Sequence, residues 1–158
     1  MKRTLKETGR KHFFDSLEML AGFIEQCPGD LWHKKRGGFI FWQQLFHCLE
    51  SIHYWLRLND GQYQAPFAGK RVFPGMEKEA VDQLSRKELG EYLQSVKSQA
   101  EQYFNSLTDD KLLENSIVDS EKSNCDVIFL QIRHIQYHVG HCNSIFREQG
   151  IAAVSWIE

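Results

Sequence analysis

Apolar side chains recur at helical spacing in four long segments of the chain. The first predicted helix runs from about Lys11 to Gln26, and the turn-forming stretch Cys27-Pro28-Gly29-Asp30 ends it. The second predicted helix runs from about Phe39 to Leu58 and is apolar on nearly every face. A helix with so little polar surface lies at the centre of a fold or is shared with a second subunit.

The other two predicted helices have clear ends. The third begins at Ser85-Arg86-Lys87-Glu88, which has the pattern of a capping box, and ends near Leu107. The fourth runs from about Asn124 to Gln149, with Gly150 as the residue that follows its C-terminus. The stretch Thr108-Asp109-Asp110 between them predicts a cap for a short extra turn.

Residues 62–83 contain two prolines and predict a long loop between the second and third helices. Loops of this length are uncommon inside a compact domain and tend to be functional. Strand signals are almost absent. The predicted fold class is therefore all-α, a single domain over residues 1–158 in which four helices form a bundle. An up-down-down-up order of the helices is one arrangement left open.

The composition is that of a globular protein, with 42% apolar and 25% charged residues. A net charge of −2 gives no long-range field that would attract nucleic acid or anionic lipid. Polar residues interrupt every apolar stretch before it reaches membrane-spanning length, so we predict a cytoplasmic protein that binds neither nucleic acid nor membrane. The four cysteines are widely separated and predict reduced, partly buried thiols.

Seven histidines are the most informative feature of the sequence. His134 and His138 are four residues apart on the fourth predicted helix, so that both imidazoles lie on one face, one turn apart. His141 falls on the same side, and the three positions span roughly 60° of arc beside the apolar stripe. They are therefore expected to face a groove between helices. His12 and His33 lack this setting and are predicted surface residues.

Neutral imidazole is a ligand suited to Zn, Ni, Cu or Fe. Three protein nitrogens with one open position are typical of a catalytic zinc site. Because one helix face supplies two ligands, a third should come from a neighbouring helix, and the second helix offers His47 and His53. The competing interpretation is that these histidines are hydrogen-bonded or surface side chains without a metal.

Two regions of the sequence resemble a known family. Residues His134–His141, followed by Phe146–Gly150, resemble one half of the signature of the DinB-like metalloprotein superfamily. Residues Phe41–His47, followed by Tyr54–Leu56, resemble the other half. Members are four-helix bundles, often homodimeric, that hold a divalent metal ion on one histidine of the second helix and an HxxxH pair of the last long helix.

The resemblance implies that His47, His134 and His138 are the metal ligands. The periodicity of the second helix alone instead favours His53, which lies nearer than His47 to the stripe Leu45, Leu49, Ile52 and Leu56. We assign His47, because a helix that is apolar on several faces has no reliable stripe. His141 stands where the family commonly has glutamine, which leaves open an indirect role or an altered set of ligands.

The resemblance also implies a metal-dependent enzyme that acts on a small molecule, since some relatives transfer or isomerise groups on low-molecular-weight thiols. Thiol transfer is the favoured chemistry and hydrolysis the second, at a site that holds Zn or Ni. The alternative is a non-catalytic stress-response or interaction bundle with a structural metal. An open coordination position would favour the enzyme, whereas a fourth protein ligand such as His141 would favour the structural role.

No convincing general base is apparent in the sequence. Glu50 and Glu148 are interpreted as solvated carboxylates, Tyr54 and Tyr137 as core aromatics, and Cys48 and Cys142 as small buried hydrophobic residues. A homodimer is also predicted, because three large aromatic residues of the second helix are not expected to face a single core: Phe41, Trp42 and Trp55.

Overall fold

The computed structural model describes residues 3–158 and is mostly helical. It contains five α-helices: α1 (Leu5–Gln26), α2 (Gly29–Trp32), α3 (Phe41–Trp55), α4 (Arg86–Ser106) and α5 (Asn124–Glu148). Strands β1 (Lys35–Arg36) and β2 (Phe39–Ile40) form a small antiparallel sheet, and a 3₁₀ turn spans Asp110–Leu113. The predicted all-α class is confirmed in this broad sense.

Helix α1 begins earlier than the predicted Lys11. The Thr4 side chain accepts a hydrogen bond from the backbone N–H of Glu7, and the Glu7 carboxylate accepts one from Thr4, which together form a capping box. The Asp109 carboxylate adds a hydrogen bond from the Lys6 backbone N–H at 2.8 Å. Asp109 therefore stabilises the start of α1, and its side chain does not cap the 3₁₀ turn that follows it.

The start of the second predicted helix is wrong by two residues, because Phe39 and Ile40 form strand β2. Lys35 pairs with Ile40 and Arg36 with Phe39. The turn between them is Gly37-Gly38, whose φ values of +60° and +96° suit glycine. Such short strands leave almost no pattern in the sequence. The hairpin delivers the chain directly into α3.

The ends of α4 and α5 follow local sequence signals. Ser85 and Glu88 form the predicted capping box of α4. Ser123 and Asp126 form an equivalent one at the start of α5. Gly150 has a φ of +70°, as expected for the residue that reverses the chain after a helix.

The core lies where α1 and α3 pack against α4 and α5. Aromatic rings fill much of it, and Phe41 of α3 stacks on Phe146 of α5 with ring centroids 5.5 Å apart. Phe41 and Trp42 are both buried within this single chain, while Trp55 is half-buried. Trp55 nevertheless packs against the same core, so the premise that these three side chains do not face a single core is wrong, while the homodimer stays a prediction.

Two irregular segments complete the described chain. Residues 56–85, between α3 and α4, form turns and bends without helix or strand. Of the C-terminal residues, Val154 is buried and its backbone N–H donates to the Asn143 side chain, whereas Trp156 is 70% exposed. Within residues 3–158, no helix combines the length and the apolar character needed to cross a membrane.

Candidate metal centre

Three histidines from two helices converge at one point between α3 and α5. His47 lies on α3, and His134 and His138 lie one turn apart on α5. One ring nitrogen from each falls within 4.8 Å of the other two. His138 is almost fully buried, and the other two are half-buried. The direct packing of α3 on α5 brings these residues together.

The loop before α4 fixes the orientation of the His47 ring. Nδ1 of His47 donates to the backbone carbonyl of Pro74 at 2.7 Å, since a carbonyl oxygen can only accept. In the neutral ring the proton therefore sits on Nδ1, and the lone pair is on Nε2. This Nε2 lies 3.0 Å from Nε2 of His134.

Gln43, a fully enclosed polar residue of α3, holds this part of the loop in place. Its amide oxygen accepts a hydrogen bond from the backbone N–H of Ala80 at 3.1 Å. Its amide nitrogen donates to three loop carbonyls, those of Val72, Phe73 and Lys78. Phe73, which directly precedes Pro74, has a φ of +44°, an uncommon conformation for a bulky residue. The bonds from Gln43 offset this strain and keep the Pro74 carbonyl on His47.

The neighbouring Gln44 performs the corresponding task for His138. Its side-chain oxygen accepts from Nδ1 of His138 at 2.8 Å and from Nδ1 of His141 at 2.7 Å. Gln44 is completely buried, and its Nε2 has no hydrogen-bond partner among the described residues. The proton of His138 is thus on Nδ1, and its Nε2 is left with the lone pair that a metal ion requires.

The electrostatics of the cluster favour neutral rings. Burial, assisted by the adjacent His47, lowers the pKa of His134 to about 4. Burial is also the largest cause that lowers the pKa of His138 to about 3, with further contributions from the surrounding histidines. At neutral pH both rings therefore have free lone pairs.

The separation of one ligand pair and the chemistry of the donor atoms suit a divalent transition metal. Two histidine nitrogens bound to one ion at about 2.0–2.1 Å lie about 2.8–3.4 Å apart for angles near 90–110°. The 3.0 Å separation between His47 and His134 agrees with that range. Within residues 3–158, the group of ligand atoms at this point consists of imidazole nitrogens alone, without a carboxylate or thiolate. Such a donor set suits borderline-soft ions such as Zn²⁺ or Ni²⁺ and does not suit Ca²⁺ or Mg²⁺.

One side of the cluster faces an open cleft. His134 forms part of its wall, together with Ser51 and Trp55 of α3 and Leu130, Arg133 and Tyr137 of α5. The cleft has a volume of about 540 Å³. His134 is the member of the cluster that lines this cleft.

His53 and His141 lie outside the group of three. His53 instead accepts from or donates to the Tyr92 hydroxyl through Nδ1, at 2.9 Å, and its ring lies against Tyr63. His141 bonds to Gln44, and its ring packs edge-on against Phe39 of β2. His12 and His33 are exposed, as predicted.

The other residues considered as acids, bases or nucleophiles differ in their burial and in their hydrogen bonds. Cys48 and Cys142 are fully buried free thiols, as predicted, and burial raises the pKa of each. Glu50 accepts a hydrogen bond from the Tyr63 hydroxyl, and Glu148 is exposed. Tyr137 is 72% exposed, so its interpretation as a core aromatic is wrong.

Tyr54 differs from its prediction in the same way. It is 37% exposed, and its ring lies under the Arg57 guanidinium at 4.3 Å. Both tyrosines have the helical spacing of core residues, and that spacing cannot identify which side of a helix is covered.

Comparison with protein-family models matches residues 13–142 to the DinB superfamily. The chain belongs to the DinB superfamily. A search of curated proteins found no match. DinB membership and the histidine cluster are both compatible with a metal-binding protein.

The sequence analysis of this DinB protein missed the residues that orient the histidine rings. Gln43 and Gln44 could have been identified from the sequence, since they are adjacent polar residues at the start of a mostly apolar helix. Buried polar groups in such a position need partners and are therefore candidates for a functional network. The Pro74 carbonyl carried no signal, because its contact depends on how the loop folds back over α3.

Proposed function

We propose that this DinB protein is a metal-dependent enzyme that acts on a small molecule, with His47, His134 and His138 as the ligands of one Zn²⁺ or Ni²⁺ ion. The observation that carries the proposal is the convergence of three imidazole nitrogens within 4.8 Å beside an open cleft. We infer that the four long helices act as the bundle that holds these ligands, in a single cytoplasmic domain.

The protein side chains contribute orientation and access. Gln44 and the Pro74 carbonyl hold the Nδ1 protons of His138 and His47, which leaves each Nε2 as the donor atom. When bound at this point, a divalent ion supplies a positive charge that lowers the pKa of a coordinated thiol or water. Thiol transfer is the chemistry we favour, and hydrolysis is second.

The position of His141 supports a catalytic role over a structural one. A structural metal would be expected to have four protein ligands. His141 is the remaining histidine of α5; it lies outside the group of three, and its Nδ1 donates to Gln44. Three protein ligands beside a cleft would leave a coordination position for a substrate thiol when a metal ion is bound.

Metal analysis of single variants tests the ligand assignment. Protein purified without a chelator should contain about one divalent metal ion per chain, and His47→Ala, His134→Ala and His138→Ala should each lose it. His53→Ala is the matched control, because His53 is another half-buried histidine of α3 that lies outside the cluster. Metal loss from His53→Ala, or retention by His47→Ala, would refute the assignment.

A second experiment separates the enzyme from the structural alternative. Protein loaded with Co²⁺ should show a new charge-transfer absorption when 2-mercaptoethanol is added, because the thiolate occupies the open position. A spectrum that does not respond would indicate a closed site, and the protein would then be a stress-response or interaction bundle stabilised by its metal.

A further inference from the structure

The cleft beside His134 contains a cationic side chain that forms no ion pair within residues 3–158. Arg133 is exposed on α5 and lines this cleft. The ion pairs of the described residues do not include Arg133, whereas the nearby Lys122 pairs with Asp119. An arginine guanidinium presents a planar set of donors that matches anionic oxygen atoms.

The lining of this cleft differs in charge from other concave surfaces of the described chain. No carboxylate of residues 3–158 lines the cleft at His134. Four other concave surfaces each include at least one carboxylate, for example Glu91 beside His53 and Asp126 in a second cleft that Arg133 also lines. Among the described residues, the lining of the cleft at His134 therefore has no carboxylate that would repel an anionic ligand.

Aromatic and polar groups complete the lining. Tyr137 is 72% exposed, and the half-buried Trp55 contributes the opposite wall from α3. Ser51 adds a hydroxyl group, which donates to the buried Gln131 side chain at 3.3 Å. The cleft thus offers apolar walls for the body of a small molecule and a guanidinium for an anionic group at its end.

We propose that the small molecule that binds at the metal carries an anionic group, and that Arg133 selects it by binding that group. This inference rests on the proposed function, since it concerns the ligand of the same site. It assigns Arg133 a role in substrate specificity, and the chemical class is a small thiol with an anionic oxygen group such as a carboxylate, sulfonate or phosphate.

Two thiols of similar size provide the test. In the Co²⁺-loaded protein, 2-mercaptoethanesulfonate should bind about tenfold more tightly than 2-mercaptoethanol, measured by titration of the charge-transfer absorption. A sulfonate is a poor metal ligand. A difference in affinity between the two thiols therefore reports mainly on the interaction of the sulfonate with protein side chains. Arg133→Gln should abolish the preference and leave the affinity for 2-mercaptoethanol unchanged, while Arg133→Lys should retain part of it.

Arg147→Gln is the matched control, because Arg147 is another exposed arginine of α5 that does not line the cleft. It should keep the full preference. Equal binding of the two thiols by the wild-type protein would overturn the inference about Arg133. So would a preference that survives in Arg133→Gln. A failure of both thiols to change the spectrum would instead refute the proposed function, so that the two failures are distinguishable.

Discussion

The side-chain oxygen of Gln44 lies 2.8 Å from Nδ1 of His138 and joins two helices at the centre of the histidine cluster. The same oxygen accepts from His141, so that one amide determines the proton position of two rings. An oxygen that accepts from both Nδ1 atoms requires both rings to be protonated there. Gln44 is therefore a positioning residue for the histidine cluster, to which it contributes no ligand atom.

Replacement of Gln44 should weaken metal binding without removing a ligand. In Gln44→Leu, His138 loses its acceptor, its ring can rotate, and the tautomer with the proton on Nε2 becomes accessible. We expect the affinity for Zn²⁺ to fall about 10- to 100-fold, measured by competition with a chromophoric chelator.

Gln131→Leu is the control for the loss of a buried glutamine. Gln131 is also fully buried, and its Nε2 has no hydrogen-bond partner in the part of the chain that the structure describes, but its oxygen accepts from Ser51 and not from a histidine. Its affinity for Zn²⁺ should remain close to that of the wild type. Equal losses in the two variants would mean that Gln44 acts only through packing.

The backbone at Gly37 lies so close to the His141 ring that it leaves no room for a side chain. Gly37 has a φ of +60°, and a Cβ atom added there would lie 2.2 Å from Nε2 of His141. Gly37→Ala should therefore lower the free energy of unfolding by about 1 kcal/mol for its backbone conformation, and further for the steric clash. Denaturant titration of Gly37→Ala, His141→Ala and the double variant measures the coupling. Gly37→Ala should lower the free energy of unfolding by less in the His141→Ala background, where the ring is absent. If the effects of the two substitutions on the free energy of unfolding were purely additive, the proposed contact would be contradicted.

Local signals in the sequence predicted the helices well and the site only in part. The Ser85 capping box and the apolar stripe of α5 act within a few residues, and both appear in the structure as predicted. The choice between His47 and His53 did not follow from α3 itself. That helix is buried on nearly all sides, so that its apolar stripe cannot indicate which face meets α5. The assignment of His47 depended on the resemblance.

The partners of the histidines could not be predicted for a different reason. Gln44 contacts a residue 94 positions away, and Pro74 reaches His47 only because the loop folds back over α3. Such contacts exist only after the helices have packed. Exposure of Tyr137 has the same origin, since periodicity gives the spacing of a face and not what covers it.

The homodimer remains a prediction, and the structure indicates residues that can test it. An apolar groove of about 220 Å³ lies between α1, α5 and the C-terminal residues, and the exposed side chains Phe129 and Trp156 line it. We expect a dimer by light scattering at micromolar concentration and a monomer for Phe129→Ser combined with Trp156→Ser. Leu113→Ser is the control, because Leu113 is 78% exposed but lies outside the groove. A monomeric wild-type protein would show that the prediction is wrong.

The stability of the metal-free protein should depend on pH through His134 and His138. Folding lowers the pKa of His134 from 6.5 to about 4 and that of His138 from 6.5 to about 3, mainly by burial. At pH values below 6.5 and above the lowered pKa of each histidine, the unfolded chain binds more protons than the folded one. The free energy of unfolding therefore decreases as the pH falls through this range. The contribution of the two rings is complete above about pH 6.5 and declines towards pH 3.

The upper part of this range isolates the histidines from the carboxylates. Glu88, whose pKa is lowered from 4.5 to about 2, loses its contribution only at lower pH. Denaturant unfolding in the presence of a chelator should therefore show a decline in stability between pH 6.5 and 5 that becomes shallower in His134→Gln and in His138→Gln. His33→Gln should leave the decline unchanged, because His33 is exposed and lies outside the cluster. If all three variants retained the wild-type slope, the two buried rings would not be neutral in the folded protein, and they would be poorly prepared to bind a metal ion at neutral pH.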